Sequence, residues 1–600
     1  MNIALPHPPH GSQAAPPHGS QAAPPQGSQA APPQGSQAAP PQGAEAVPDS
    51  RGLNLWRADP ALARLAGLYL PADLLAHLAP HLDRLGGLAG GRLDELAATA
   101  DRNPPVLHSR DRRGADRQHI EYHPAYRAME QVAFGDYGLA ALSHRGGVLG
   151  WAAPMPPAAK YLITYLLVQA EFGLCCPVSM TDSLARTLRR FGDPALVARY
   201  LPGLTSQDLD ALDQGAMFMT EQGAGSDIAA TAVMAAPNAD GSWALTGDKW
   251  FCSNPDAGLA MVLARRQGAE QGAGPGLAGV SLFLLPRVLP DGTENAYRIL
   301  RLKPKLGTRS MASGEIRLEG ATAYLVGDPA AGFRQMADMV NNSRLSNGMR
   351  AAGLMRRAVT EALYVAHRRR AFGQRLVDMP LMRRQLAKML LPMEQARSLM
   401  FQTAEALRRS DAGEEGAYPL LRILTPLLKF RACRDARRVT GDAMEVRGGC
   451  GYIEEWPDAR LLRDAHLGSI WEGTSNIVAL DVLRAAKREA ALPVLRRHVM
   501  ALLGNAPALP EAPAALDRAV ALAERAQENP ALARQAASAL YHLTSAAAMA
   551  WEAARLEDAG RLELARLVLR HRVLPRDPLA AEDEAVPEGI AAGLLPDPGT

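Results

Sequence analysis

The sequence predicts a mainly helical α+β chain: a helical N-terminal block, a central antiparallel β-domain, a C-terminal helical bundle and a further helical region. Three observations lead there. Residues 51–214 carry apolar positions at mixed three- and four-residue spacing, as in PADLLAHLAPHLDRLGGLAG, the stripe of an amphipathic helix. Between residues 215 and 330 the pattern changes to short β-rich runs such as SWALTGDKWF, GVSLFLLPRV and GEIRLEGATAYLV, separated by Gly, Asn, Asp and Pro. From residue 331 the helical period returns, and segments 344–371 and 379–407 are long enough to build a bundle. No βαβ alternation occurs, so GAGSD at 223–227 is not the phosphate loop of a Rossmann unit.

The order of units is then a tail over 1–50, helices over 51–214, the β-domain over 215–330, a bundle over 331–488, extra helices over 489–575 and a second tail over 576–600. The first tail repeats the octad GSQAAPPQ or GSQAAPPH, whose proline pairs deny it helix and sheet, so disorder is expected. Metal binding through its His7, His10 and His18 is the less favoured reading. The last tail carries Asp577, Glu582, Asp583, Glu584, Glu588 and Asp597 with no basic residue after Arg576, and reads as solvated.

Composition excludes several classes. The 600 residues have a net charge of +3, so no global electrostatic attraction to nucleic acid exists. Cys175, Cys176, Cys252, Cys433 and Cys450 form no CxxC spacing; a disulfide framework or zinc site is not expected, and a reducing, cytoplasmic setting is. The most apolar run, YLITYLLV at 161–168, is too short to span a bilayer.

Four separated segments carry the chemistry: MTEQGAGSD at 219–227 leading to GDKWFCSN at 247–254, HRRRAFGQRL at 367–376, RGGCGY at 447–452 and RDAHLGSIWEGTSNI at 463–477. In this order and spacing they resemble the acyl-CoA dehydrogenase superfamily of flavoproteins. The segments EYHPAYRAMEQ, LKPKLGTRSMASGEI and SIWEG are similar to its AidB-like, alkylation-response branch, which also carries an extra C-terminal helical region. The resemblance implies FAD as cofactor and α,β-dehydrogenation of an acyl-CoA thioester.

It also implies roles. Glu472 matches the base that takes a proton alpha to the thioester carbonyl; this needs a carboxylate held in a dry site. A subset of the superfamily places the base immediately before an arginine on a bundle helix. There this chain has Ser343 before Arg344, which leaves Glu472 as the acid. Met219, Thr220, Phe251 and Ser253 match positions around the isoalloxazine ring. Arg369 and Phe372 match the segment that reaches the FAD pyrophosphate of a neighbouring subunit, for which a guanidinium fork is suited. Gly448 and Gly449 match a turn near the adenosine half. Thr474 and Asn476 match polar residues after the base that touch FAD, and as N-cap types they equally suit the start of a helix. Ser226 and Arg344 match positions near the substrate. A homodimer or homotetramer and an electron-transfer flavoprotein are the implied partners; no metal is expected.

The AidB-like resemblance raises a rival class, a flavin-containing protein that binds double-stranded DNA with little or no dehydrogenase activity. Residues 484–572 contain thirteen basic and nine acidic groups, and the pairs Lys487–Arg488 and Arg496–Arg497 with Arg566, Arg570 and Arg572 form its candidate patch. An ordinary salt-laced helical surface is the plainer reading.

Overall fold

A computed structural model describes residues 47–268, 276–504, 508–577, 579 and 593–600. The octad repeat, with His7, His10 and His18, and residues 580–592 of the acidic segment lie outside the described residues. The N-terminal block contains α1 (Pro60–Tyr69), α2 (Ala72–Gly90), α3 (Arg92–Arg102), α4 (Pro124–Glu130), α5 (Pro157–Leu167), α6 (Cys175–Phe191) and α7 (Pro194–Leu204). The predicted stripe is real: Leu74, Leu78, Leu82, Leu85 and Ala89 of α2 are all buried. Asp59 caps α1 by accepting from the Leu62 N–H at 3.2 Å. The apolar run at 161–168 is the fully buried core of α5.

One feature of this block departs from the helical expectation. A hairpin of β1 (Val106–Arg110) and β2 (Asp116–Glu121) interrupts it. Its residues are mostly polar and exposed, so the alternation that would reveal a strand is missing from the sequence.

The middle block consists of β3 (Gly215–Phe218), β4 (Met234–Pro237), β5 (Trp243–Ser253), β6 (Leu259–Arg266), β7 (Val280–Pro286), β8 (Tyr297–Leu302) and β9 (Ser313–Leu325). Pairing runs β6–β4–β5–β9–β7 and returns to β6, which closes a small barrel, with β3 added beside β6 and β8 beside β9. Most pairs are antiparallel, as expected, but β6 lies parallel to both β3 and β4. Parallel neighbours need long crossovers, and the intervening segments supply them.

The bundle is made of α8 (Gly332–Arg368), α9 (Pro380–Asp411), α10 (Ala417–Arg447), α11 (Pro457–Gly468) and α12 (Ser475–Arg488). α8 starts well before residue 344, because the polar stretch around Asn341 and Asn342 hides its first turns. Then come α13 (Ala491–Leu503), α14 (Ala512–Glu528), α15 (Ala533–Leu556) and α16 (Ala559–Arg572). Among the described residues no helix is long and apolar enough to cross a membrane, and no cluster of His, Cys, Asp or Glu could hold a metal ion. The five cysteines are free thiols.

The extra helices share a buried ionic network with the bundle. Arg397 of α9, fully buried, donates to Asp59 at 2.7 Å and to Glu394 at 2.5 Å. Arg561 of α16 donates to Glu394 at 2.8 Å, Glu552 at 2.6 Å and Ser398 at 2.6 Å. Burial pushes the Glu394 carboxyl up, and Arg397 and Arg561 outweigh it, holding the group at about 2.

The end of the acidic segment is not solvated as its charge suggested. Leu594 and Leu595 are buried, Arg368 pairs with Asp597 at 2.8 Å, and His367 Nε2 donates to the Leu595 carbonyl at 2.9 Å. An apolar pair beside one acid is enough to dock it against the end of α8.

Candidate active site

Glu472 lies in the loop between α11 and α12 with a left-handed backbone, φ 53°, and Gly473 follows at φ 102°. A Cβ at 473 would come within 3.1 Å of Ile477 and 3.4 Å of the Arg344 guanidinium, so glycine lets the chain turn tightly here. Three successive carbonyls of this loop are captured from below. Lys429 Nζ of α10 donates to Trp471 O at 2.9 Å and Gly473 O at 2.5 Å. Arg344 Nε of α8 donates to Glu472 O at 2.9 Å, while its Nη1 donates to Asp481 at 2.8 Å. Burial pulls the Arg344 guanidinium below its ordinary value and Asp481 works against that.

The carboxylate itself turns inward. It accepts from the Ser343 hydroxyl and from the Asn347 side-chain amide, two buried residues one turn apart on α8. Arg350 continues this face; its buried guanidinium lies 4.8 Å over the Trp471 ring and 5.4 Å from that of Phe172. Trp471 and Phe172 stack at 5.9 Å. Both carboxylate oxygens are therefore held by bundle side chains, while the residue as a whole is half-buried.

Beside it opens a cleft of about 2010 Å³ between the β-domain and the bundle. Of the residues singled out from sequence, Met219, Thr220, Ser226, Phe251, Ser253, Arg344, Glu472 and Thr474 line it. Arg369, Phe372, Gly448, Gly449 and Asn476 do not. Two of these meet elsewhere: Arg369 Nη1 donates to the Arg447 carbonyl at 3.0 Å, and a Cβ on Gly448 would come within 3.3 Å of that guanidinium nitrogen. Phe372, two residues beyond Arg370, is 96% exposed. Asn476 is exposed in the first turn of α12. Thr474 is the N-cap of α12, but its side chain makes no capping bond, so its hydroxyl remains available to the cleft.

Sequence reasoning missed several supports, the Asn347 amide among them. Ser343 reads in sequence only as the absence of a carboxylate, yet it holds Glu472. Lys429 carried one available signal, a lone lysine inside the apolar run LLKF. Glu221 steadies the segment after β3 by accepting from Ala232 N–H at 2.6 Å and from the buried Lys249 ammonium at 2.6 Å. Lys249 follows no periodicity, and its partner lies on a distant loop.

A flavin suits this wall. Met219 and the 56%-exposed Phe251 offer apolar contact, and Thr220 and Ser253 bring hydroxyl-bearing side chains to the same cleft. Thr308 Oγ1 and Trp471 Nε1, both on residues lining the cleft, are buried without a protein partner.

Comparison with known proteins agrees with the geometry. Residues 45–211 match the N-terminal domain of the adaptive response protein AidB, 216–321 the middle domain of acyl-CoA dehydrogenases and 330–487 their C-terminal domain. AidB of Escherichia coli (strain K12) is 35% identical over 460 residues, covering 73% of this chain and 79% of AidB. Acyl-CoA dehydrogenase family member 11 of Caenorhabditis elegans is 31% identical over 459 residues, 75% of this chain and 74% of the relative. The crystal structure of C. elegans ACDH-11 in complex with C11-CoA superimposes with a TM-score of 0.83 at 27% identity, over 91% of this chain and 95% of that one. The chain belongs to the acyl-CoA dehydrogenase family of FAD-dependent oxidoreductases, on its AidB-like branch.

Proposed function

We propose that the protein uses FAD to dehydrogenate an acyl-CoA thioester between its α and β carbons, with Glu472 as the general base. The carrying observation is a carboxylate locked by Ser343 and Asn347 at the edge of a cleft wide enough for a tricyclic ring and a thioester. Glu472 takes the α proton; the β carbon gives up a hydride, and the product is the α,β-unsaturated thioester. FAD, when bound, supplies the hydride acceptor. We assign Met219, Thr220, Phe251, Ser253 and Thr474 to holding the ring system, and Ser226 to the thioester. Arg344 acts through the loop it clamps. With the Glu472 carbonyl engaged by Arg344, the Glu472 N–H is the donor assigned to the thioester oxygen, where negative charge develops.

Arg369, Phe372, Gly448 and Gly449 lie off this cleft, which supports a second half-site used by a partner copy. The side chains of Phe372 and Tyr452, 96% and 81% exposed, suit coverage by such a copy in a homodimer or homotetramer. C. elegans ACDH-11, a related chain, forms a complex with C11-CoA, which supports the acyl-CoA substrate class here. An electron-transfer flavoprotein is the acceptor we assign. Purified protein carrying FAD should lose its yellow colour anaerobically with a member of a panel of saturated acyl-CoA thioesters. If every chain length and branching pattern leaves the flavin oxidised, the proposal fails.

A second reading, binding of double-stranded DNA, has one observation in its favour. Burial and the neighbouring Arg384, Arg438 and Arg572 hold the Lys388 ammonium below its ordinary value, although Asp442, which pairs with Arg438 at 3.5 Å, opposes them; this is a mainly basic gathering where α9, α10 and α16 meet. The patch expected from sequence does not form as written: Arg496 pairs with Asp517 at 2.8 Å and Arg566 with Glu563 at 3.5 Å. This reading predicts salt-sensitive duplex binding that weakens in Lys388→Ala with Arg438→Ala. Binding unchanged by those substitutions removes it.

A further inference from the structure

Lys429 is an unusual lysine. It is 1% exposed, has no carboxylate partner among its hydrogen bonds, and gives them to two backbone carbonyls, Trp471 O at 2.9 Å and Gly473 O at 2.5 Å. Those carbonyls bracket Glu472, whose left-handed backbone is costly for a glutamate and persists only where the surroundings impose it. Burying an ammonium is itself costly, and an apolar residue of the same length would fill the space without that cost. We propose that Lys429 is a positioning residue for the base loop, its ammonium holding the peptide on both sides of Glu472 so that the carboxyl stays seated on Ser343 and Asn347. This rests on the dehydrogenase reading and adds to it the device that sets the shape of the base loop.

The arrangement has a pH consequence. Burial drives the Lys429 ammonium from 10.5 down to about 8, with the Cys433 thiol and Glu472 opposing the shift and Arg344 adding to it. These groups, from α10, the base loop and α8, are the ones that face Nζ; Cys433 is pushed by burial to about 11 and Arg344 is paired with Asp481, so neither changes charge over the same range. Above about pH 8 the neutral amine keeps two N–H groups but loses charge assistance, which makes such bonds about twice as strong. The base loop is then held less firmly, and moving a reacting group by about 1 Å can cost about a hundredfold in rate.

The test uses the FAD-loaded, full-length protein, Lys429→Met and Lys429→Arg. Two measurements are made across pH 6.5 to 9.5, a range of about three units spanning the titration. One is amide hydrogen exchange of the peptide covering residues 469–476, corrected for intrinsic pH dependence. The other is the rate of anaerobic flavin reduction by a saturated acyl-CoA. For the unsubstituted protein we expect loop protection and rate to fall together above about pH 8. In Lys429→Met the loop should exchange at least about tenfold faster at every pH, reduction should slow about tenfold or more, and the alkaline fall should vanish. Lys429→Arg should recover part of the rate and move the fall to higher pH. Unchanged loop exchange in Lys429→Met overturns the proposal, as does faster exchange with an unchanged rate and alkaline limb. Should Lys429→Met not fold, constant protection of the unsubstituted loop to pH 9.5 overturns it alone. If no thioester reduces the flavin, the dehydrogenase reading falls, while loop exchange still decides whether Lys429 holds the loop.

Discussion

Replacing Glu472 with Gln is expected to slow flavin reduction by acyl-CoA about 10²–10⁴-fold, the usual worth of a positioned base. Flavin content and thermal stability should stay close to those of the unsubstituted protein. Gln has nearly the same volume, so the loop keeps Gly473 at its positive φ and its carbonyls on Lys429 and Arg344. Its side-chain oxygen can still accept from Ser343 or Asn347. What it lacks is the negative charge and basicity of a carboxylate, without which it cannot take a proton. Ser343→Ala should fall between, because the carboxylate remains and loses one of two donors; a net hydrogen bond to a charged group is worth about 1.5–3 kcal/mol. Rapid-mixing spectroscopy of the flavin band reads both variants, and acyl-CoA affinity should move less than the rate.

The second large effect concerns stability. Arg561→Met should destabilise the chain by about 3–5 kcal/mol, the cost of breaking a buried ion pair from one side. Glu552 is fully buried and loses its cation, leaving the hydroxyls of Tyr69 and Ser398 as its donors. Glu394 keeps Arg397 but loses one of its two guanidinium partners. Because the network links α9 to α15 and α16, the extra helices should unfold with the bundle in one calorimetric transition, not as a separate early one. The pH dependence has a definite sign. The Glu394 carboxyl sits at about 2 in the fold, below its ordinary 4.5. Its stabilisation is therefore complete above about pH 4.5 and disappears as pH falls toward 2. Arg561→Met should shrink that acid-sensitive part. A double substitution with Glu394→Gln should cost less than the sum of the two, since the residues share one network.

Much of this is legible in the sequence because its signals are local. The apolar spacing of α2, the β-rich runs of the barrel and the glycine next to Glu472 each act within a few residues of where they are read. Long-range pairing is not legible in that way. Nothing near Glu472 announces that its carboxylate will rest on Ser343 and Asn347, or that Lys429 will hold its flanking carbonyls. The same limit explains the β1–β2 hairpin, whose polar residues show no face, and the docking of Leu594 and Leu595, two apolar residues inside an acidic segment. Arg369 and Gly448 read in sequence like the other flavin positions, yet they lie off the cleft, because spacing along the chain does not say which corner of the fold a segment reaches.

In the proposed reaction the carboxyl of Glu472 removes the α proton. Exchange of that proton with deuterated solvent isolates the step, using FAD-loaded protein and an acyl-CoA whose β carbon bears no hydrogen, so that no hydride can follow. Mass increase at the α carbon should proceed with the unsubstituted protein and fall to the uncatalysed rate with Glu472→Gln. Equal exchange by both proteins would contradict the account.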